Sequence, residues 1–217
     1  MEQGQSHSYK NIVTHYERCL EQFGDSFRGV DWPNEKDAQT RYQVMMDLVE
    51  FNNNKPVSLL DFGCGTAHLL EYIVKQSYAG QIQYSGLDIS KKFIEVCRNK
   101  FPDHHFITSD ILADQDGIGQ FDYIIMNGVF TEKLSLSFDE MWNYFRDLIA
   151  RVFRHADKGI AFNVMSTQVD WEREDLFHLP TDPLASFLSA GISKNYIFRK
   201  DYGLYEYTCY VYREPRV

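Results

Sequence analysis

The sequence predicts an α/β fold, a doubly wound, mostly parallel sheet. Three observations carry this. Val57–Phe62 is a short, mainly apolar run behind Pro56, the pattern of a strand buried on both faces, and Gly63, Gly65 and a helical pattern follow it at once. Strand-like and helix-like stretches then alternate through about residue 165. Finally, two strand-like runs near the end are joined by so short a connection that they must be antiparallel neighbours.

Taken in order, residues 8–22 place Tyr9, Ile12, Val13, Tyr16, Cys19 and Leu20 at helical spacing, and Gly24 and Gly29 break the pattern. Residues 24–34 read as a loop with an exposed Trp32 before Pro33. Asn34 can cap a second helix over 35–51 with Tyr42, Met45, Met46 and Val49 inward, and Asn52–Pro56 is a turn into the first strand. The helix over Thr66–Val74 stops near Gly80. A second strand, Gln81–Ile89, ends in an acidic tip, and Ser90 caps a helix that Pro102 ends. His104–Thr108 is a third strand, 113–120 a loop holding Asp114 and Asp116, and Phe121–Met126 a fourth strand turned off by Asn127-Gly128. Ser137-Phe-Asp-Glu140 is a capping box opening the strongest helical pattern in the chain. A fifth strand covers Ile160–Met165, an irregular insertion Ser166–Pro183, a helix 183–190, and the last two strands Tyr196–Lys200 and Leu204–Tyr212. Tyr205 and Tyr207 would share one face of the last strand. The whole is a Rossmann-like, seven-stranded sheet with an antiparallel hairpin at one edge and two helices in front. Its expected division is a helical cap, 1–55, and a core, 56–217, within one structural domain.

The 217 residues suit one full core. No apolar run is long enough to cross a bilayer, and Met1–His7 is too polar for a signal peptide. A net charge of −9 argues against a chain built to grip nucleic acid. The four scattered cysteines form no Cys-x-x-Cys, so a reducing cytoplasmic setting is expected; the histidines show no metal spacing, and no metal is expected.

The glycine turn narrows the ligand. A dinucleotide fingerprint needs a third glycine where His68 stands, and no Gly-Lys-Ser/Thr follows as in a phosphate-binding loop. Asp61-x-Gly63-x-Gly65, with Asp88 at the second strand tip, Asp110 after the third and Asn127-Gly128 after the fourth, resembles the motif set of class I S-adenosylmethionine-dependent methyltransferases over about residues 57–165. The resemblance implies S-adenosylmethionine as cofactor, with Asp61, Gly63, Cys64 and Gly65 around the methionine part and Asp88 with Ile89 at the ribose. It implies Asp110 with Ile111 at the adenine, and Asn127 and Gly128 at the sulfonium end. Gly29-Val-Asp-Trp32, Ala161-Phe-Asn163 and Asp201–Thr208 are similar to segments of small-molecule methyltransferases from bacterial polysaccharide and natural-product gene clusters.

A cap over residues 8–51 would bring Trp32 to the methionine end. Loops 127–137, 166–182 and 201–206 remain for a small-molecule acceptor and hold Thr131, Glu132, Lys133, Trp171, Arg173 and Tyr205. An alcohol acceptor needs a base, for which His178, Asp201 and Tyr202 are the leading candidates, with Tyr205 and Glu206 beside them. The expected reaction is O-methylation of a sugar or other hydroxylated or acidic metabolite. Two rival readings are a protein that binds the cofactor without catalysis, and an RNA methyltransferase. Neither a membrane nor a nucleic-acid partner is expected, and the oligomeric state is not legible.

Overall fold

The computed structural model describes residues 9–32, 34–51, 55–114 and 117–216. Pro33, residues 52–54 of the expected turn, Asp116 and Met1–His7 lie outside the described residues. Helix α1 (Lys10–Phe23) is followed by a 3-10 turn, Phe27–Val30, and helix α2 (Glu35–Met46). The core then runs β1 (Val57–Phe62), α3 (His68–Ile73), β2 (Ile82–Asp88), α4 (Lys91–Lys100), β3 (His105–Thr108), β4 (Phe121–Met126), α5 (Phe138–Phe153), β5 (Ala156–Met165), α6 (Thr181–Gly191), β6 (Asn195–Arg199) and β7 (Glu206–Tyr212).

The seven strands form one sheet in the order β3-β2-β1-β4-β5-β7-β6. The first five are parallel; β7 is antiparallel to both β5 and β6. The chain winds outward from β1 to β3 and returns to β4 on the other side of β1. The topological switch point therefore lies between β1 and β4, where such sheets open a crevice at their carboxyl edge.

Alternation along each strand divides the core. Leu60, Phe62, Ile124 and Met126 face a layer built on Met141, Phe145, Ile149 and Val152 of α5. Val57, Leu59, Tyr123 and Ile125 face Tyr42 and Met45 of α2, Leu70 and Ile73 of α3, and Ile94 and Cys97 of α4. The helix starts follow their caps: Asn34 accepts from Lys36 and Asp37, Ser90 from Phe93, and Ser137 with Glu140 forms the reciprocal capping box.

Several boundaries differ from the sequence expectation, each for a local reason. Helix α2 stops at Met46 because Leu48 and Val49 tighten onto Met45 and Met46 carbonyls three residues back, while their side chains stay buried. Strand β5 starts at Ala156, four residues early, since the polar Asp157-Lys158 hides a paired stretch in which Lys158 meets Asp122 at 2.9 Å. Strand β7 starts at Glu206, because 201–205 is turn; Tyr205 is thus half exposed and does not share the burial of Tyr207. Trp32 is half-buried rather than exposed.

Candidate active site

At the end of β1, Gly63 (φ 75°) and Gly65 (φ 53°) adopt the left-handed backbone that side chains avoid. The Gly63 and Cys64 N–H groups both donate to the Leu87 carbonyl, at 2.7 and 3.0 Å, which ties the glycine turn to the tip of β2. There Asp88 is buried; its Oδ2 accepts from Gly65 N–H at 3.0 Å and its Oδ1 from Ser90 N–H at 2.8 Å. Burial pushes its carboxyl up to about 6, against the pull of those backbone donors. Asp61 is buried deeper and accepts from Tyr84 Oη at 2.8 Å; burial and the charge of Asp88 push it up to about 7.

After β3, Asp110 accepts from Tyr9 Oη at 2.8 Å and from Leu112 N–H at 3.3 Å, so the start of the described chain is pinned to the third strand tip. After β4, Gly128 (φ 79°) donates its N–H to Asn163 Oδ1 at 2.7 Å. A Cβ at Gly128 would lie 2.7 Å from Trp32 Cζ2, and one at Gly63 would lie 2.7 Å from Val129 Cγ2. Bare backbone is therefore required at both tips.

Trp32, Asp61, Gly63, Cys64, Gly65, Asp88, Ile89, Asp110, Ile111, Asn127 and Gly128, the residues expected at a cofactor, all line one cavity at the β1/β4 switch point. The N-terminal segment ahead of β1 contributes Tyr9, Tyr16, Val30, Trp32 and Tyr42 to the same walls. Two buried polar atoms on the lining residues, Asn127 Oδ1 and His68 Nδ1, have no hydrogen-bond partner among the described residues. His68 Nε2 lies 3.2 Å from both Thr66 Oγ1 and Asp25 Oδ1, and burial, with Lys100 nearby, holds its pKa low. The neutral ring that donates to Asp25 leaves Nδ1 as an acceptor. The sequence pattern marks His68 only as a missing third glycine and gives it no role at the site.

The donor and acceptor set fits S-adenosylmethionine. Asp88 keeps a spare lone pair on each oxygen for ribose hydroxyls, and the orphaned acceptors Asn127 Oδ1 and His68 Nδ1 suit an ammonium group.

The expected bases lie elsewhere. His178 is buried in the 166–183 insertion, with Nδ1 2.8 Å from the Ser166 carbonyl and Nε2 accepting from Arg173 N–H at 3.4 Å. Asp201 is exposed and paired with Arg199 at 2.7 Å. Tyr202 Oη lies 3.0 Å from Thr208 Oγ1. None of the three lines the cavity. Glu206 is buried in a relay: it accepts both from Arg41 Nε, at 2.9 Å to each oxygen, and from Asn163 Nδ2 at 3.0 Å, and Arg41 stacks over Trp32 at 5.1 Å. The loops left for an acceptor are tied to one another by backbone bonds, but none of Thr131, Glu132, Lys133, Trp171, Arg173 and Tyr205 lines the cavity. Phe177 N–H bonds the Thr131 carbonyl, Lys133 and Leu134 bond that of Asp175, and Ser166 bonds that of Tyr205.

Residues 60–159 match the methyltransferase domain family Methyltransf_12. Rv1506c, a Mycobacterium tuberculosis protein carrying the name methyltransferase, is 26% identical over 163 residues, covering 74% of this chain and 95% of its own. Among solved structures, magnesium protoporphyrin IX methyltransferase from Synechocystis PCC 6803 with bound S-adenosylmethionine superposes with a TM-score of 0.64 at 16% identity, covering 99% of this chain and all of that one. The CurJ carbon methyltransferase gives 0.58 at 17% identity, over 94% of this chain and 67% of that one. Strand order, glycine turn, acidic strand tips and the family match over residues 60–159 together support a class I S-adenosylmethionine-dependent methyltransferase.

Proposed function

We propose that the methyl acceptor is a polar small molecule and that the reaction is O-methylation of a hydroxylated or acidic metabolite. The observation that carries this reading is the cavity itself. Its cap-side walls include the aromatic rings of Tyr16, Trp32 and Tyr42, with Trp32 packed against Gly128 at the β4 tip, a surface on which a small molecule can stack. The net charge of −9 sets it apart from a nucleic-acid groove.

When bound, S-adenosylmethionine supplies an electrophilic methyl group on a sulfonium. Asp88 holds the ribose hydroxyls, Asp110 and Ile111 border the adenine, and Asn127 and His68 take the ammonium. Trp32 and Val30, pressed on Gly128 and Gly65, keep water from the reacting end. Correct alignment of donor and acceptor can supply roughly 7–11 kcal/mol of the barrier, so the site needs no nucleophile of its own. A carboxylate acceptor also needs no base; a hydroxyl must give its proton up as its oxygen takes the methyl group.

The test is formation of S-adenosylhomocysteine with panels of hydroxylated sugars, hydroxy and carboxylic acids, β-ketothioesters and transfer RNA. Turnover confined to the first two classes is expected. Turnover only on the thioesters would establish carbon methylation, the reaction named for CurJ. Turnover only on transfer RNA would make the chain an RNA methyltransferase. Cofactor binding with no turnover on any panel would make it a binding protein without catalysis.

A further inference from the structure

Just beyond the cavity wall, three potential metal ligands converge. His15 and Cys19 are four residues apart on α1, one helical turn, and so share a face. Asp31 ends the 3-10 turn in the left-handed region (φ 57°, ψ 32°), which aims its carboxylate back at that face. One nitrogen, His15 Nε2, looks at both partners, 2.8 Å from Asp31 Oδ2 and 3.9 Å from Cys19 Sγ. All three ligand atoms lie within 4.8 Å of one another. On a tetrahedral zinc ion with bonds of 2.0–2.3 Å, neighbouring ligand atoms sit roughly 3.3–3.7 Å apart, and the observed separations straddle that range.

A second, separate feature points the same way. Glu132, on the segment after β4, is nine-tenths buried, and no hydrogen bond reaches its carboxylate among the described residues. Its charged neighbours are Asp31, Arg173, Asp175 and His15. Arg173 is itself engaged by Asp175 through Nε at 3.0 Å and a second bond from Nη2. The other two charged neighbours of Glu132, Asp31 and His15, are members of the three-residue cluster. A divalent cation would balance the charge of the Asp31 and Glu132 carboxylates. Both Val30 and Trp32, which flank Asp31, line the cavity, as do Val13 and Tyr16 beside His15.

We propose that His15, Cys19 and Asp31 form a binding site for a borderline divalent transition metal, with zinc the ion that suits this nitrogen, sulfur and carboxylate set. Binding exchanges the thiol proton of Cys19 for the metal and releases it to solvent, while water or a carboxylate oxygen fills the fourth position. The ion clamps α1 to the turn that carries Trp32. The site stands independently of the acceptor assignment.

The experiment is titration of the full, chelator-treated protein with cobalt(II), a spectroscopic stand-in for zinc. One equivalent should produce a thiolate-to-cobalt charge-transfer band and the intense visible bands of tetrahedral coordination, all displaced by zinc. Cys19→Ser should remove the charge-transfer band, and His15→Ala and Asp31→Asn should each weaken binding by at least about tenfold, with circular dichroism unchanged. A measurement needing no variant is zinc protection of Cys19 from alkylation, read by mass spectrometry against Cys64, Cys97 and Cys209, which are buried. No charge-transfer band, a band that survives Cys19→Ser, or alkylation of Cys19 indifferent to zinc would overturn the proposal.

Discussion

Both oxygens of Asp88 already accept backbone N–H bonds, from Gly65 and Ser90, and each retains a lone pair for a ribose hydroxyl. Asp88→Ala should therefore weaken cofactor binding by about 1.5–3 kcal/mol for each charge-assisted bond lost. Calorimetry with S-adenosylhomocysteine checks this; unchanged affinity would remove the ribose assignment. The pH dependence has a definite sign. Burial raises the Asp88 pKa from 3.8 to about 6 in the folded chain. If its carboxylate form holds the ribose hydroxyls as proposed, affinity should fall below pH 6, by up to about tenfold per unit, and Asp88→Asn should flatten the profile. In the free protein the same shift contributes stability that is present below 3.8 and is lost as the pH rises through about 6. The strand-tip residues are legible in the sequence as a set, since glycines or acidic and amide residues recur at four successive strand ends, whereas a lone carboxylate there reads equally as a turn or cap residue. His68 is not legible, since a helix-start histidine shows nothing of the cavity its ring faces. Nor is the His15–Cys19–Asp31 grouping: the spacing of four is visible, but its third member comes from a turn whose direction only the fold fixes.

Among the elements, the turn after β4 and the segment carrying Trp32 are fitted to each other. Gly128→Ala would set a methyl group 2.7 Å from Trp32 Cζ2 on a backbone of positive φ. The expected cost is about 1–3 kcal/mol of stability, together with weaker cofactor binding as the ring is driven off the cavity. Thermal denaturation and calorimetry on that variant separate the two effects. Trp32→Phe should keep the fold and lower cofactor affinity; parent-like affinity and turnover would leave Trp32 as packing alone. Helix starts with strong caps are legible in the sequence to within a residue or two. The starts of β5 and β7 are not, because strand pairing at Ala156 and the turn over 201–205 are set by neighbours distant in the chain.

For the whole molecule, α5 is the pillar of one core layer. Phe145 is fully buried and meets Phe130, Phe162 and Phe177. Phe145→Ala should cost about 3–5 kcal/mol, measured by denaturant unfolding, and S-adenosylhomocysteine in excess should restore part of it, growing with the logarithm of its free concentration over Kd. The parallel half of the sheet is legible from the alternation of strands and helices. The placing of β7 between β5 and β6 is not, since a hairpin reads alike whichever of its strands faces inward. That placement bears on how a growing chain matures. Strand β6 is synthesised before the strand that attaches it to the sheet. Arg41 and Glu206, 165 positions apart, can join only once β7 has emerged. Until then Asn163 lacks its buried carboxylate partner, and the Gly128 turn that Asn163 holds is unbraced. Cofactor capture thus becomes a late event in biogenesis, and nascent chains arrested before residue 206 should emerge unable to retain it.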